Sequence, residues 1–175
     1  PANIIVADDP DSGATSGAGL PTVKMLDFGL ARITDADVAA TQISEIGMIK
    51  GTLQYMSPEQ ARGDVAAIDV RSDVYALGMI LYELLTGKRP YDVSRSALAE
   101  AVRVICEERP KPLQHSWSGS VRLDADLETI VGKSLEKEMD RRYGSAAALG
   151  EDVERHLASQ PIFARPPSAV YQMRK

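Results

Sequence analysis

The 175-residue sequence predicts an α+β fold, mostly α-helical with one short β-hairpin at its beginning. Three observations carry that prediction. Two β-type runs, NIIV and TVKML, stand near the N-terminus; a long polar stretch follows; and four segments with helical periodicity fill most of the remainder.

The hairpin rests on what separates its strands. ADDPDSGATSGAGLP is rich in Gly, Ser, Asp and Pro without periodicity, and reads as a flexible loop joining an antiparallel pair. From Leu26 to about Pro58 the chain is rich in Thr, Ser and Gly with interspersed Ile and Met. Loops of that length are usually functional or disordered. SDVYALGMILYELLTGKRP then starts a helix at Ser72 or Asp73, is apolar nearly all round, and stops at Gly87 and Pro90. A helix apolar on most faces is a core helix. SRSALAEAVRVICEE continues the pattern until RPKP breaks it. In DADLETIVGKSLEKE, Leu127, Ile130, Val131 and Leu135 share one face, with Asp124 or Asp126 available as cap. In SAAALGEDVERHLAS, Leu149, Val153 and Leu157 do the same. The tail QPIFARPPSAVYQMRK carries three prolines, and Pro166-Pro167 favours extended polyproline geometry.

Composition narrows the function classes. A net charge of −5 gives no basic stripe for a nucleic-acid backbone. Cys106 is the only cysteine, which rules out an internal disulfide and a cysteine-based zinc site and fits a reducing compartment. The longest uncharged apolar run, Val74 to Tyr82, ends at Glu83. That is well short of the roughly 20 residues a membrane span needs, so it is expected as a buried helix. His115 and His156 show no ligand spacing and read as a loop and a helix-face residue, and Trp117 as a packing residue.

The chemistry concentrates at the hairpin's open end. Asn3 lies just before the first run and Asp27 just after the second. Antiparallel pairing brings those ends together, with paired Cα atoms about 5 Å apart. A carboxylate and an amide oxygen in one small volume suit Mg²⁺, which takes few protein oxygens and completes its shell with water and phosphate. Asp and Asn also flank strands simply as turn formers.

The surrounding strings extend this. MLDFGLAR contains Asp27-Phe28-Gly29, and GTLQYMSPEQ, SDVYALG and DRRYGSA follow in that order. Together they resemble the second half of a protein kinase catalytic domain, specifically a bacterial eukaryotic-like (Hanks-type) serine/threonine kinase, over about residues 1–156. Asp27-Phe28-Gly29 matches the triplet that opens the activation segment, and Ser57-Pro58-Glu59 stands where the family has Ala-Pro-Glu. The opening Pro1-Ala2-Asn3 resembles the end of the catalytic loop His-Arg-Asp-x-Lys-Pro-x-Asn.

The resemblance implies an incomplete kinase fold: the C-terminal lobe over residues 1–158, with its activation segment at 27–59, a tail over 159–175, and no N-terminal lobe. It implies ATP and Mg²⁺ as cofactors, with Asn3 and Asp27 on the metals, and Thr52 bridging the catalytic Asp and Lys through a hydroxyl that donates and accepts. Glu59 would pair with Arg142, Arg141 being the solvated neighbour. Asp73 would brace the catalytic-loop backbone, although a carboxylate at a helix start is also favoured by the macrodipole. Thr41 and Ser44 are the candidate phosphorylation sites. The proton-accepting Asp and the ATP-contacting Lys of the family precede the part of the pattern present here, so transfer to protein Ser/Thr hydroxyls is expected of the family member and inactivity of these 175 residues alone.

Alternatives are a pseudokinase acting as a regulatory protein-binding module, and an unrelated helical interaction domain. The Ala7–Thr22 loop exceeds the short turn usual there and reads as an insertion. Without the helix that normally covers one side of Val74–Leu85, exposed apolar surface is expected on that helix. The expected location is cytoplasmic, with membrane contact only through regions outside these residues, as the tail resembles linkers that follow bacterial kinase domains.

Overall fold

The computed structural model describes residues 4–7, 22–25, 53–93, 97–120 and 122–165. The chain divides into two units, residues 1–44 and 45–175.

In the first unit, β1 (Ile4–Ala7) and β2 (Thr22–Met25) pair antiparallel, with Ile4 opposite Met25, Ile5 opposite Lys24, Val6 opposite Val23 and Ala7 opposite Thr22. Val6 and Val23 form a β-branched cross-strand pair of the kind that stabilises a ladder. Both are exposed. The Ala7–Thr22 loop falls on residues 8–21, outside the described residues.

The second unit is helical. Short α1 (Pro58–Arg62) is followed by a 3₁₀ turn at Val65–Ala67, then by α2 (Val70–Thr86), α3 (Leu98–Glu107), short α4 (Leu113–Ser116), α5 (Ala125–Ser134), a second 3₁₀ turn at Met139–Arg141, and α6 (Ala146–Leu157). The expected four long helices are α2, α3, α5 and α6. No helix among the described residues is long and apolar enough to cross a membrane.

The long helix α2 separates two cores. Tyr75, Met79 and Tyr82 pack with Leu53, Tyr91, Val104, Leu113, Val131 and Leu135. Val74 packs with Ile130, Tyr143, Leu149 and Ile162. At Gly78 a side chain would have no room: a Cβ would lie 2.6 Å from Ser134 Cβ, so glycine lets α2 approach α5 closely. The helix is not buried all round. Val70, Leu77 and Leu84, spaced by seven, are exposed to 60, 37 and 75%.

Two local expectations are corrected, and one open alternative is settled. Helix α2 begins at Val70, not at Ser72 or Asp73, because the Asp69 carboxylate caps it by accepting from the Arg71 N–H at 2.8 Å. Ser72 sits inside the first turn with its hydroxyl turned to Glu59. For α5 the alternative is settled: Asp124 caps, accepting from Asp126 N–H at 2.8 Å, and Asp126 is buried. On α6, Leu149 is buried as expected but Leu157 is 76% exposed. The helix ends there, the chain reverses through Ser159 at φ 55°, and Ile162 fills the core position instead.

Candidate functional site

The best-defined polar centre links the end of the polar stretch to the late helices. Ser57 caps α1, its N–H and hydroxyl both donating to Gln60 Oε1 at 3.0 Å, and Pro58 occupies the first helical position, where its missing N–H costs nothing. This short helix carries Glu59 inward. Arg142 follows the 3₁₀ turn Met139–Arg141 and points toward the same place.

There the two form a bidentate pair: Arg142 Nη1 donates to Glu59 Oε1 and Nη2 to Oε2, each at 2.8 Å. Both residues are buried, 3 and 4% exposed. The Ser72 hydroxyl adds a third donor to Oε1 at 2.6 Å. Arg142 gives its remaining N–H groups to the carbonyls of Glu136, Arg71 and Lys137 at 2.8, 3.0 and 3.1 Å, so all of its donors are satisfied. Its guanidinium also lies 5.0 Å from the Tyr75 ring centroid. Burial alone raises the Glu59 pKa. The hydrogen bonds from Arg142, then Ser72, outweigh it and push the group down to about 2. Arg141 is exposed.

A second anchor precedes Ser57. Leu53 is buried in the larger core, and the Tyr55 hydroxyl donates to Glu83 Oε2 on α2 at 2.6 Å. Arg89 approaches the other Glu83 oxygen at 3.6 Å. Burial first, then the Glu83 carboxylate, push the Tyr55 phenol up to about 12.

Among the expected site residues, the structure therefore brings Glu59 and Arg142 together. Asp73 is exposed in the first turn of α2. Asn3, Asp27, Phe28, Gly29, Thr41, Ser44 and Thr52 lie outside the described residues. For Asn3 and Asp27 the backbone register still matters: β1 and β2 pair Ile4 with Met25, one residue after Asn3 and two before Asp27.

Sequence reasoning missed Tyr55, Glu83, Ser72 and the buried Asp126 and Asp152. Asp152 was detectable in principle, since it lies three residues after Leu149 on the apolar side of α6. His156 is a residue of α6, as expected. It lies with Asp124 and Asp126, their ligand atoms all within 4.8 Å of one another, because the start of α5 and the end of α6 meet there. Arg165 already compensates Asp126, Nη1 to Oδ1 at 3.0 Å. His115 is an exposed residue of α4 rather than of a loop.

The model of the protein kinase domain family matches residues 1–153. The chain belongs to the protein kinase family. This kinase-family chain is 40% identical over 161 residues to the serine/threonine-protein kinase PknB of Mycobacterium leprae, covering 92% of its own length and 22% of the relative's. It is 40% identical to Mycobacterium tuberculosis PknB over 162 residues, with the same coverage. It is 39% identical to the serine/threonine-protein kinase pkn3 of Myxococcus xanthus over 132 residues, 75% of this chain and 23% of the relative. The kinase-family residues thus span less than a quarter of these relatives.

Proposed function

We propose that the chain is the C-terminal-lobe portion of a serine/threonine protein kinase, residues 1–158, with a tail over 159–175. The protein would transfer the γ-phosphate of ATP to Ser/Thr hydroxyls of protein substrates in the cytoplasm. The observation that carries this reading is the hairpin register within a chain of this family. Pairing of Ile4 with Met25 leaves Asn3 and Asp27 one and two residues from the same end of the ladder. One amide oxygen and one carboxylate are the hard donor set that Mg²⁺ takes while keeping water and phosphate in its shell. Asn3 and Asp27 are the residues that would hold it, and the ion would neutralise charge on the ATP phosphates during transfer.

The rest of the chain orients. Thr52 would bridge the catalytic Asp and Lys of the family. Leu53, Tyr55 and Glu59 anchor the segment directly after it to the helical core. The 27–59 segment with Thr41 and Ser44 would be the part ordered by phosphorylation. By resemblance the family's catalytic Asp and ATP-contacting Lys would lie ahead of the Asn3 position, so these 175 residues alone would be inactive.

The test is a chain extended upstream to include both groups. It should bind ATP only with Mg²⁺ and phosphorylate a Ser/Thr peptide, and Asp27→Ala should abolish both. Absent or Mg²⁺-independent ATP binding overturns the reading. Mg²⁺-dependent binding without transfer would instead assign the pseudokinase role. Transfer by residues 1–175 alone would overturn the expected inactivity.

A further inference from the structure

Beyond residue 153, where the family match ends, the chain folds back on the helical unit. After α6 it reverses, and Ile162 enters the smaller core, 3% exposed, beside Val74, Ile130, Tyr143 and Leu149. The Phe163 and Ala164 N–H groups donate to the two carboxylate oxygens of Asp152, at 2.6 and 2.9 Å. Asp152 is completely buried, and Tyr143 donates its hydroxyl to the same carboxylate at 2.9 Å. Arg155 donates to the Pro161 carbonyl at 2.6 Å and stacks 4.2 Å from the Phe163 ring centroid. At the far end, Arg165 reaches Asp126 and the Ala125 carbonyl on α5.

Tyr143 is the residue next to Arg142. The backbone at Arg142 is extended, φ −74° and ψ 177°, and in an extended chain consecutive side chains point to opposite sides. Arg142 goes to Glu59 and α1, whereas Tyr143 goes to Asp152 and the returning segment. Both are buried to about the same degree. One dipeptide therefore plugs two polar seats at once.

We propose that residues 161–165 are a clasp, docked through Asp152 and Ile162, whose seating sets the rigidity of the Glu59–Arg142 tether. Undocking withdraws Ile162 from against Tyr143 and takes two of the three donors from Asp152. The dipeptide loses its support on one side, and α1 loosens on the other. The clasp is a local opening equilibrium of the kind that exchange of backbone amides reports. Coupling of this sort is reciprocal, so loosening the tether must also loosen the clasp. Whatever pulls on the chain beyond Arg165 would then be felt at the end of the 27–59 segment.

The test is amide exchange by NMR on the 175-residue chain. Asp152→Asn should speed exchange at Phe163 and Ala164 by about tenfold or more, since it weakens buried charge-assisted hydrogen bonds. It should also speed exchange several-fold at Ala61, Gly63 and Asp64, whose N–H groups close α1 and its cap. The Gly87 amide, which closes the far end of α2 by donating to the Glu83 carbonyl, serves as the control and should not change. Glu59→Gln should speed exchange at Phe163 and Ala164 in return. Tyr143→Phe, which keeps the ring in the core, should give the same pattern more weakly and serves if Asp152→Asn does not fold. Faster exchange confined to residues 161–165 overturns the coupling. So does an equal rise at Gly87, which would mark global destabilisation, or no change at Phe163 and Ala164.

Discussion

Arg142 and Arg71 face carboxylates with closely similar geometry. Arg142 donates twice to Glu59 at 2.8 Å, and Arg71 donates to Asp69 at 2.8–3.2 Å from two nitrogens while also reaching Asp140. Their surroundings differ. The Arg142 and Glu59 side chains are 0 and 4% exposed, whereas Arg71, Asp69 and Asp140 are 28, 41 and 94% exposed. In water the Coulomb gain of an ion pair nearly cancels against lost solvation and side-chain freedom. In the interior the charges cannot return to water without opening the fold, so removing one partner strands the other. Similar hydrogen-bond distances therefore describe a tether between distant parts of the chain in one place and a solvated surface cluster in the other.

The largest effect should come from Arg142→Met, which leaves Glu59 buried without its cation. Urea unfolding should show a loss of about 3–5 kcal/mol. The double variant with Glu59→Met should recover much of that loss, and a double variant as unstable as the single one would break the contrast. Next comes pH. Because the folded state holds the Glu59 pKa at about 2, below its usual 4.5, its contribution is full above pH 4.5 and fades as pH falls through 2. The acid branch of the stability curve should therefore flatten in Glu59→Gln, and a curve of unchanged shape would deny the pair its role. The smallest effect belongs to Asp140→Asn. The unfolding midpoint should stay within measurement scatter at 0.1 M salt, where exposed charges are screened over about 10 Å. A loss comparable to that of Arg142→Met would erase the distinction drawn from burial.

Much of this architecture was legible in the residues. The β-branched runs and the glycine-rich interval between them foretold an antiparallel pair, and the 3.6-residue periodicity marked all four long helices. The pairing of Glu59 with Arg142 came from the resemblance of SPE and DRRY to family motifs; spacing alone could not supply it, since 83 residues separate the two. What escaped was polar burial. Asp126 looks like an ordinary helix-surface carboxylate, and although the spacing from Leu149 puts Asp152 on the apolar side of α6, nothing local signals that amides or a guanidinium from residues 163–165 will reach either. Leu157 failed in the opposite sense: its periodicity fits the core face of α6, but the helix stops there and Ile162 takes the space.

Hydrophobic period and turn chemistry are local properties, so the sequence by itself determined the element types, their order and the helical segments around Val74–Leu85. The family followed from short strings whose order survives without any fold. Tertiary structure alone decided which charges are enclosed, because enclosure depends on which distant segments arrive over a side chain. Asp69 rather than Ser72 caps α2 because Ser72 is claimed by Glu59 across 13 residues. The chain's return at 161–165, likewise, turns a helix carboxylate into a buried seat.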